Sequence, residues 1–335
     1  MATKKFKTYK LHFTSPLHLG DARDDYSVSL QTIASDTMYA ALISCLAKLG
    51  KEIPDNGDLG CTISSLFPFY QKNAESITVY FFPKPLKQTL PTSGAAIKER
   101  KKVKKVAWLD AKYFSKALNG EQLFDDKTIQ NLNNGVYLTD ETIDKDFITS
   151  QVSPRVTVSR DGQEDAKPFY MDRIMFKDYS GLFFVVDGDT TLLDKAIALL
   201  QTEGIGTDRN VGNGYFEYET NEVEITMPED ADYSVTLSSF IPESKDQLSA
   251  MLSSENIAYD FQRRGGWITT PPHNTLRKKY VYAFTAGSVF ASKCNGLEQK
   301  GLVGVDLNPT INWAQKVEHP IWRCGRSIFL PIKLA

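Results

Sequence analysis

Two segments of the chain, one on each side of a long irregular section, carry the same pattern of strand, helix and strand, and each helix is closed by a glycine. In the first segment Tyr9, Leu11 and Phe13 alternate with Lys10 and His12, the period of a half-buried strand. "SPLHLG" ends it, because Pro16 and Gly20 break a ladder. "SDTMYAALISCLAKLG" then offers Ser35 or Asp36 as N-cap, Met38, Leu42, Cys45, Leu46 and Leu49 at helical spacing, and Gly50 as stop. "SITVYFFP", Ser76 to Pro83, is β-branched and aromatic and reads as a strand. In the second segment "GLFFVVDG" is a buried strand. "TTLLDKAIALLQTEG" is a helix with Leu193, Ile197 and Leu200 on one face, and "YFEYETNEVEI" is a further strand.

Two split units of this kind make an antiparallel sheet with two helices on one face. The expected fold class is therefore α+β: a ferredoxin-like, RRM-like domain over residues 1–227. It carries a basic insertion at 84–150, with a short helix near "DAKYFSKAL", and a hairpin at 151–175. Arg155 to Ser159 forms one hairpin strand and Asp161-Gly162 supplies the turn signal. "PEDAD", Pro228 to Asp232, is a polar joint. Beyond it, "YSVTLSSFIP", a helix around Lys245 to Phe261, "KKYVYAFTAGSVF" and "SIFLPIK" build a smaller C-terminal α+β domain, 228–335, ferredoxin-like or related. A chain of 335 residues sustains two such cores.

No window approaches the run of about 18 apolar residues that a membrane span needs, and "MATKKFKTYKLHF" has no signal-peptide apolar block. Cys45, Cys61, Cys294 and Cys324 form no CxxC pair, which argues against a zinc site or a disulfide framework. A cytoplasmic protein is expected. The net charge of −2 does not suit a protein that simply coats nucleic acid, but the charge is uneven. "KERKKVKK", Lys98 to Lys105, holds six basic residues and one acid, and "RR" (Arg263, Arg264) and "RKK" (Arg277 to Lys279) add smaller clusters. Each alone reads as a solvated surface. Together they allow a local anion-binding face.

"GIGTDRNVGNGYFEYE", Gly204 to Glu219, sets four glycines, Gly204, Gly206, Gly212 and Gly214, around Arg209. It is no P-loop, since Asn213 follows Gly212 and no GK[ST] exists. It is no dinucleotide fingerprint either, since Arg209 takes the third glycine's place and the loop leaves a helix instead of opening one. No nucleotide cofactor is expected. Successive backbone N–H groups in such a turn can still form a phosphate nest, with Arg209 as bidentate donor. A plain helix-to-strand connection remains the other reading.

The chain resembles the RAMP superfamily of CRISPR-associated proteins and, within it, the fourth-subunit family of type III-A (Csm) effector complexes. The resemblance covers nearly the full length. It rests on "TSPLHLG", "SDTMYAAL", "FFPKPL", "KKVKKVAWL", "SPRVTVSRDG", "GIGTDRNVGNGYFE" and "GSVF…HPIWRCGRSIFLPI", in that order. It implies a non-catalytic subunit that grips the 5′ handle of the CRISPR RNA, docks on the large polymerase-like subunit and contacts the repeated backbone RAMP subunit. A hairpin, here Ser153 to Arg173, presses on the RNA where handle meets guide.

Single-stranded RNA needs neutralised phosphates, free N–H groups and flat surfaces for unstacked bases. The expected RNA-binding set is His18, Gly20, Lys84, Lys104, Lys105, Arg155, Arg160, Gly204, Gly206, Arg209, Gly212 and Gly214. No catalytic residue, metal or cofactor is expected. Glu217 and Glu219 occupy one strand face and would repel phosphate, so Tyr215, Phe216 and Tyr218 read as core in part. Trp267 in "RRGGWITTPP" is the better stacking residue, or an interface anchor. Lys98 to Lys105 meets either RNA or an acidic patch on the large subunit. The enzymatic rival is a RAMP endoribonuclease processing precursor CRISPR RNA, with His18, Tyr26 and His12 as its acid–base groups. A third reading is an assembly subunit without RNA contact. For a metal-dependent nuclease, "DARDD" (Asp21 to Asp25) is the nearest carboxylate group, and an exposed acidic turn explains it.

Overall fold

A computed structural model describes residues 1–20, 26–51, 53–54, 57–87, 99–158, 165–268, 276–278, 280–292 and 322–334. The chain opens with β1 (Ala2–Phe13), α1 (Ser35–Lys48), β2 (Cys61–Ile63), β3 (Phe67–Tyr70) and β4 (Val79–Pro83). Next come α2 (Arg100–Lys105), β5 (Trp108–Asp110), α3 (Ala111–Leu118), β6 (Leu132–Asn133) and β7 (Tyr137–Leu138). The long strands β8 (Ile148–Thr157) and β9 (Lys167–Phe176) form a separate hairpin. They lead to β10 (Gly181–Gly188), α4 (Thr191–Glu203) and β11 (Phe216–Met227).

The main sheet runs β11–β1–β10–β3–β4–β5–β7–β6, with β2 also paired to β10. β1 is antiparallel to both neighbours, and Tyr9 stands opposite Phe184 and Thr220. One face of this sheet presents Tyr9, Leu11, Leu182 and Phe184 to α1 and α4, burying Met38, Leu42, Leu46, Leu193, Ile197 and Leu200. The other face presents Phe6, Phe183 and Val185 to α2, α3 and the C-terminal strands. The polar side of β1 is covered too, against the half-buried expectation. Lys10 is 2% exposed, and its ammonium is held by Glu219 with Gln71 and Thr78. An ammonium out of water needs such partners.

The described residues of 84–150 are not irregular throughout, since α2, β5, α3, β6 and β7 lie among them. Val103, Val106, Leu109, Phe114 and Leu118 are apolar at positions that let α2 and α3 cover the sheet. Phe114 stacks on Phe82 with ring centroids 4.8 Å apart. Asp110 caps α3 by accepting from the Tyr113 N–H at 2.8 Å. By contrast, α1 has no side-chain cap. Ser35 and Asp36 lie in its first turn and are committed to tertiary contacts: the Ser35 hydroxyl accepts from Ser239 N–H, and Asp36 accepts from Arg264 and Arg323.

The C-terminal part holds β12 (Tyr233–Thr236), α5 (Lys245–Met251), β13 (Phe261–Arg264), β14 (Val281–Phe284), β15 (Val289–Phe290) and β16 (Phe329–Ile332). Its strands form a β15–β12–β16 sheet and a β13–β14 ribbon. α5 stops at Met251, well short of Phe261. Ser253 donates back to Ala250 O and the Ser254 hydroxyl accepts from Asn256 N–H, which draws the backbone out of the helix. Across the polar joint the core is continuous: Val235, Leu237, Ile328 and Leu330 belong to the cluster that holds Phe6 and Phe183.

No helix among the described residues is long and apolar enough to cross a membrane. Burial and nearby Glu203 push the Cys45 thiol up to about 11, and burial with Asp58 and Asp189 pushes Cys61 up to about 12. Both are expected to alkylate with iodoacetamide at neutral pH at least about tenfold more slowly than in the unfolded chain, because only the thiolate attacks. Peptide mass spectrometry over a time course reads this out.

Candidate nucleic-acid interface

The glycine-rich connection is a closed clasp. α4 ends on Gly204, whose φ of 73° only glycine adopts without strain. Ile205 N–H then donates to Gly214 O at 2.9 Å, and Gly214 N–H donates to Pro16 O at 2.8 Å. At Gly214 a Cβ would lie 1.9 Å from Ile205 O, and at Gly206 a Cβ would lie 2.5 Å from His18 O. These two glycines therefore permit backbone-to-backbone contact. Gly212 differs: it has φ 93° and open space around it, so it serves the turn conformation alone.

Between the clasp ends, Asp208 takes a left-handed conformation and Arg209–Val211 form a short 3₁₀ turn. The N–H groups of Asp208, Arg209 and Asn210 make no hydrogen bond among the described residues. Successive free N–H groups are what a phosphate nest requires, and here the Asp208 carboxylate stands beside them as an opposing charge. Arg209 is half-buried, reaches back to Gly204 O at 3.4 Å, and has its own carbonyl held by the Tyr215 hydroxyl at 3.1 Å.

His18, expected among the RNA-binding residues on the loop after the first strand, lies in the packed interior. It is 1% exposed. Its Nδ1 lies 2.6 Å from Asp172 O and its ring stacks on Tyr26 at 5.7 Å. Its carbonyl accepts from Thr207 N–H at 3.0 Å. His18 is thus a strut between the clasp and the hairpin base, and the residue exposed beside it is Gly20. Asp172 completes the joint by accepting from Ser29 N–H and from the Ser150 hydroxyl, while Leu17 pairs with Ile174.

The hairpin has two unlike faces, because residues opposed across antiparallel strands share a side. Val152, Pro154 and Val156 lie with Tyr170 and Pro168, and Val152, Val156 and Tyr170 are each more than half exposed. The opposite face carries Arg155 across from Phe169, Thr157 from Lys167 and Gln151 from Arg173. Phe169 meets Tyr26 at 5.4 Å, so the cationic face continues into the His18 joint. Arg173 donates to Ser153 at 3.1 Å, and its Nε, though buried, has no partner among the described residues. Arg160 lies outside the described residues, as does the "DARDD" stretch.

The lysines go elsewhere. Lys104 and Lys105 are exposed on α2, whose Val103 is buried on the sheet face opposite α1 and α4. Lys84 turns inward and donates to Val103 O at 3.2 Å, and burial lowers its pKa. The structure therefore joins His18, Gly20, Arg155 and the glycine clasp, and separates Lys84, Lys104 and Lys105 from them. The carboxylates on β11 are partly neutralised, since Glu219 accepts from both Lys10 and His12.

One neighbour was not legible beforehand. Trp267 lines a cleft of about 270 Å3 whose other wall is the clasp, from Gly204 to Arg209. Arg277 lies over its indole at 4.6 Å. Among the described residues no group of three or more His, Cys, Asp or Glu side chains is placed to hold a metal ion.

Comparison with known proteins agrees with this architecture. Residues 229–332 match the family model described as the CRISPR Csm4 C-terminal domain. The chain is 24% identical over 318 residues to the Mycobacterium tuberculosis CRISPR system Cms protein Csm4, covering 92% of this chain and 93% of the relative. It is 28% identical over 284 residues to the Thermococcus onnurineus protein of that name, covering 79% and 84%. Among solved structures it is similar to a chain of the Csm3–Csm4 subcomplex of the type III-A CRISPR-Cas interference complex, with TM-score 0.61, 18% identity and coverage of 98% and 99%. A chain of a Csm1–Csm4 cassette bound to cA4 gives TM-score 0.60, 19% identity and 99% coverage of both. Along nearly its whole length the chain is similar to Csm4 proteins, and its residues 229–332 match the Csm4 C-terminal domain.

Proposed function

We propose that the chain is the RNA-holding subunit of a cytoplasmic type III-A (Csm) effector complex. It grips the 5′ handle of the CRISPR RNA and joins the large polymerase-like subunit to the repeated backbone subunit, without cutting RNA. The observation that carries this reading is the unbroken packing from the glycine clasp through His18 and Tyr26 to Phe169 on the cationic hairpin face. That path offers N–H groups without a partner among the described residues, guanidinium charge and aromatic surface, the three things an unstacked strand requires. The apolar hairpin face, with Val152, Val156 and Tyr170, suits a wedge against bases.

The strand order β11–β1–β10–β3 with α1 and α4 on one face supports a ferredoxin-like reading of residues 1–227, with 228–335 as the smaller unit. Relatives of this fold are solved with Csm1 and with Csm3, which supports those two partner classes. The exposed lysines of α2, remote from the clasp, suit an acidic protein surface better than the same RNA strand. A cleaving role would ask His18 or His12 to move protons. His18 is buried on Asp172 O and His12 is tied to Glu219 at 3.0 Å, which favours holding over cutting.

Filter binding of a short single-stranded RNA across a salt series tests the reading. Affinity is expected to fall steeply with salt, and Arg155→Ala and Arg209→Ala should each flatten the log–log slope by about 0.7. RNA purified with the complex should share one 5′ end. Slopes unchanged in both variants would remove the clasp and hairpin from the RNA path.

A further inference from the structure

A second cleft, of about 760 Å3, opens where the end of β1 and the start of β11 meet the turn 177–180 between β9 and β10. Its charge is one-sided. Glu217 stands opposite His12 and Glu219 opposite Lys10, so both carboxylates lie on one face of the β1–β11 pair. Glu219 is neutralised, since it accepts from Lys10 and His12. Glu217 and Asp178 are exposed in the lining and make no hydrogen bond or ion pair among the described residues. Lys177, beside them, is drawn off by Asp144 at 3.4 Å. Two carboxylates are therefore left for a cation from outside. A buried hydroxyl adds an independent requirement. Ser180 lines the same cleft and is 2% exposed, and its Oγ has no partner among the described residues, while its N–H donates to Lys177 O at 3.0 Å. A hydroxyl left so carries a desolvation cost that a ligand's polar group removes.

The walls limit what that cation can be. The volume is far above the roughly 30 Å3 share of one water molecule, so the cleft is not shaped for a monatomic ion. Phe13 and Phe176 stack in its wall at 5.0 Å. Tyr179 is 46% exposed and is held at a left-handed φ of 63°, which a bulky residue adopts only at a cost. Carboxylates beside aromatic faces select a guanidinium, which forks onto the one and stacks on the other. The same carboxylates repel phosphates, and so an RNA strand. We propose that this cleft is the docking site for an arginine-bearing segment of a partner protein. Glu217 and Asp178 supply the carboxylates, Tyr179 the stacking surface and Ser180 a hydrogen bond. The inference rests on the reading of the chain as a subunit that joins other protein subunits, and not on its holding of RNA.

The test has two arms, and both results are required. In the first, a carbodiimide and glycine ethyl ester convert accessible carboxylates to amides, and peptide mass spectrometry reads each position. Glu217 and Asp178 are expected to label readily in the free chain and to be protected in the assembled complex. A short single-stranded RNA added to the free chain should leave both labels unchanged. In the second, a dye-labelled peptide, Gly-Arg-Gly-Arg-Gly, is titrated against the full chain beside its citrulline counterpart, which keeps the shape and lacks the charge. The arginine peptide should bind at least about tenfold more tightly, the worth of one charge-assisted hydrogen bond. Glu217→Gln should abolish that preference and leave the melting temperature unchanged, because Glu217 is exposed. Ser180→Ala should weaken the peptide and melt no lower than the parent, since it removes a buried hydroxyl without a partner. Equal labelling of Glu217 and Asp178 in the free chain and the complex, protection by RNA alone, or no preference for arginine over citrulline overturns the inference. Spermidine binding as tightly as the arginine peptide would make the occupant a free polyamine and overturns it too. Assembly of the chain with the other subunits would then leave the subunit reading standing. A Glu217-dependent arginine preference in a chain that joins no other subunit removes that reading and keeps the cleft as a site for basic peptides.

Discussion

Gly214→Ala is expected to destabilise the protein by at least about 3 kcal/mol, in the range reserved for strained backbone and forced contact. Two penalties add. The φ of 78° is left-handed and costs an L-residue about 1–2 kcal/mol. The new methyl would also stand 1.9 Å from Ile205 O, and no rotamer change relieves a contact with backbone. The Ile205–Gly214 hydrogen bond must open, which frees the start of β11 and the nest together. Gly212→Ala is the control: φ is 93°, but nothing lies within 4 Å of its Cβ, so the cost is the left-handed penalty alone. Chemical denaturation of the two variants reads the difference. Equal midpoints would mean that the clasp is not a rigid support for the RNA path.

Asp36→Ala is expected to cost about 3–5 kcal/mol, because removing one member of a buried ionic cluster strands the others. Asp36 is 5% exposed and lies at the start of α1, while Arg264 sits on β13 and Arg323 just before β16. The carboxylate is the electrostatic tie between the two parts of the chain. Once it is removed, Arg264, Arg323 and Lys278 would share the pocket without it, and limited proteolysis should cut the β13–β14 ribbon first. Burial pushes the Asp36 carboxyl up, but Arg264 and Arg323 outweigh it and hold the pKa below the usual value. A carboxylate lowered on folding contributes stability above its unfolded pKa, near 3.9. That contribution fades as pH falls through the folded pKa. The parent protein should therefore lose more stability than Asp36→Ala does on acidification below about pH 4. Parallel acid unfolding curves for the two would show that the carboxylate holds nothing.

The strands β1, β4, β10 and β11 and the helices α1 and α4 are legible in the sequence because their signals are local. Alternation over Tyr9–Phe13, the Leu193, Ile197 and Leu200 stripe and the stop at Gly204 each lie within one element, and the structure keeps them. The section from Lys84 to Ser150 reads as irregular because most of its strands are two or three residues long, too short to show a period. They exist because the edge of β4 is there to pair with. Asp36 shows the same limit at a single residue: a cap by local rules, it is drawn off by two guanidiniums from more than two hundred positions away.

The candidate site divides the same way. Glycine density and an embedded arginine mark the clasp, since the need for positive φ is written in the residues themselves. Whether His18 is exposed, whether Lys104 stands near Arg209, and what Trp267 faces are questions of three-dimensional neighbourhood. So the amino-acid sequence alone determined the longer strands and helices of the N-terminal part, the turn chemistry and the family resemblance. Folding decided that His18 is a buried strut, that the lysines of α2 lie across the sheet from the clasp, and that Lys278 is left without an ion-pair partner among the described residues. The physical reason is that backbone preference acts within a few residues, whereas burial and charge pairing depend on which distant segments the core brings together.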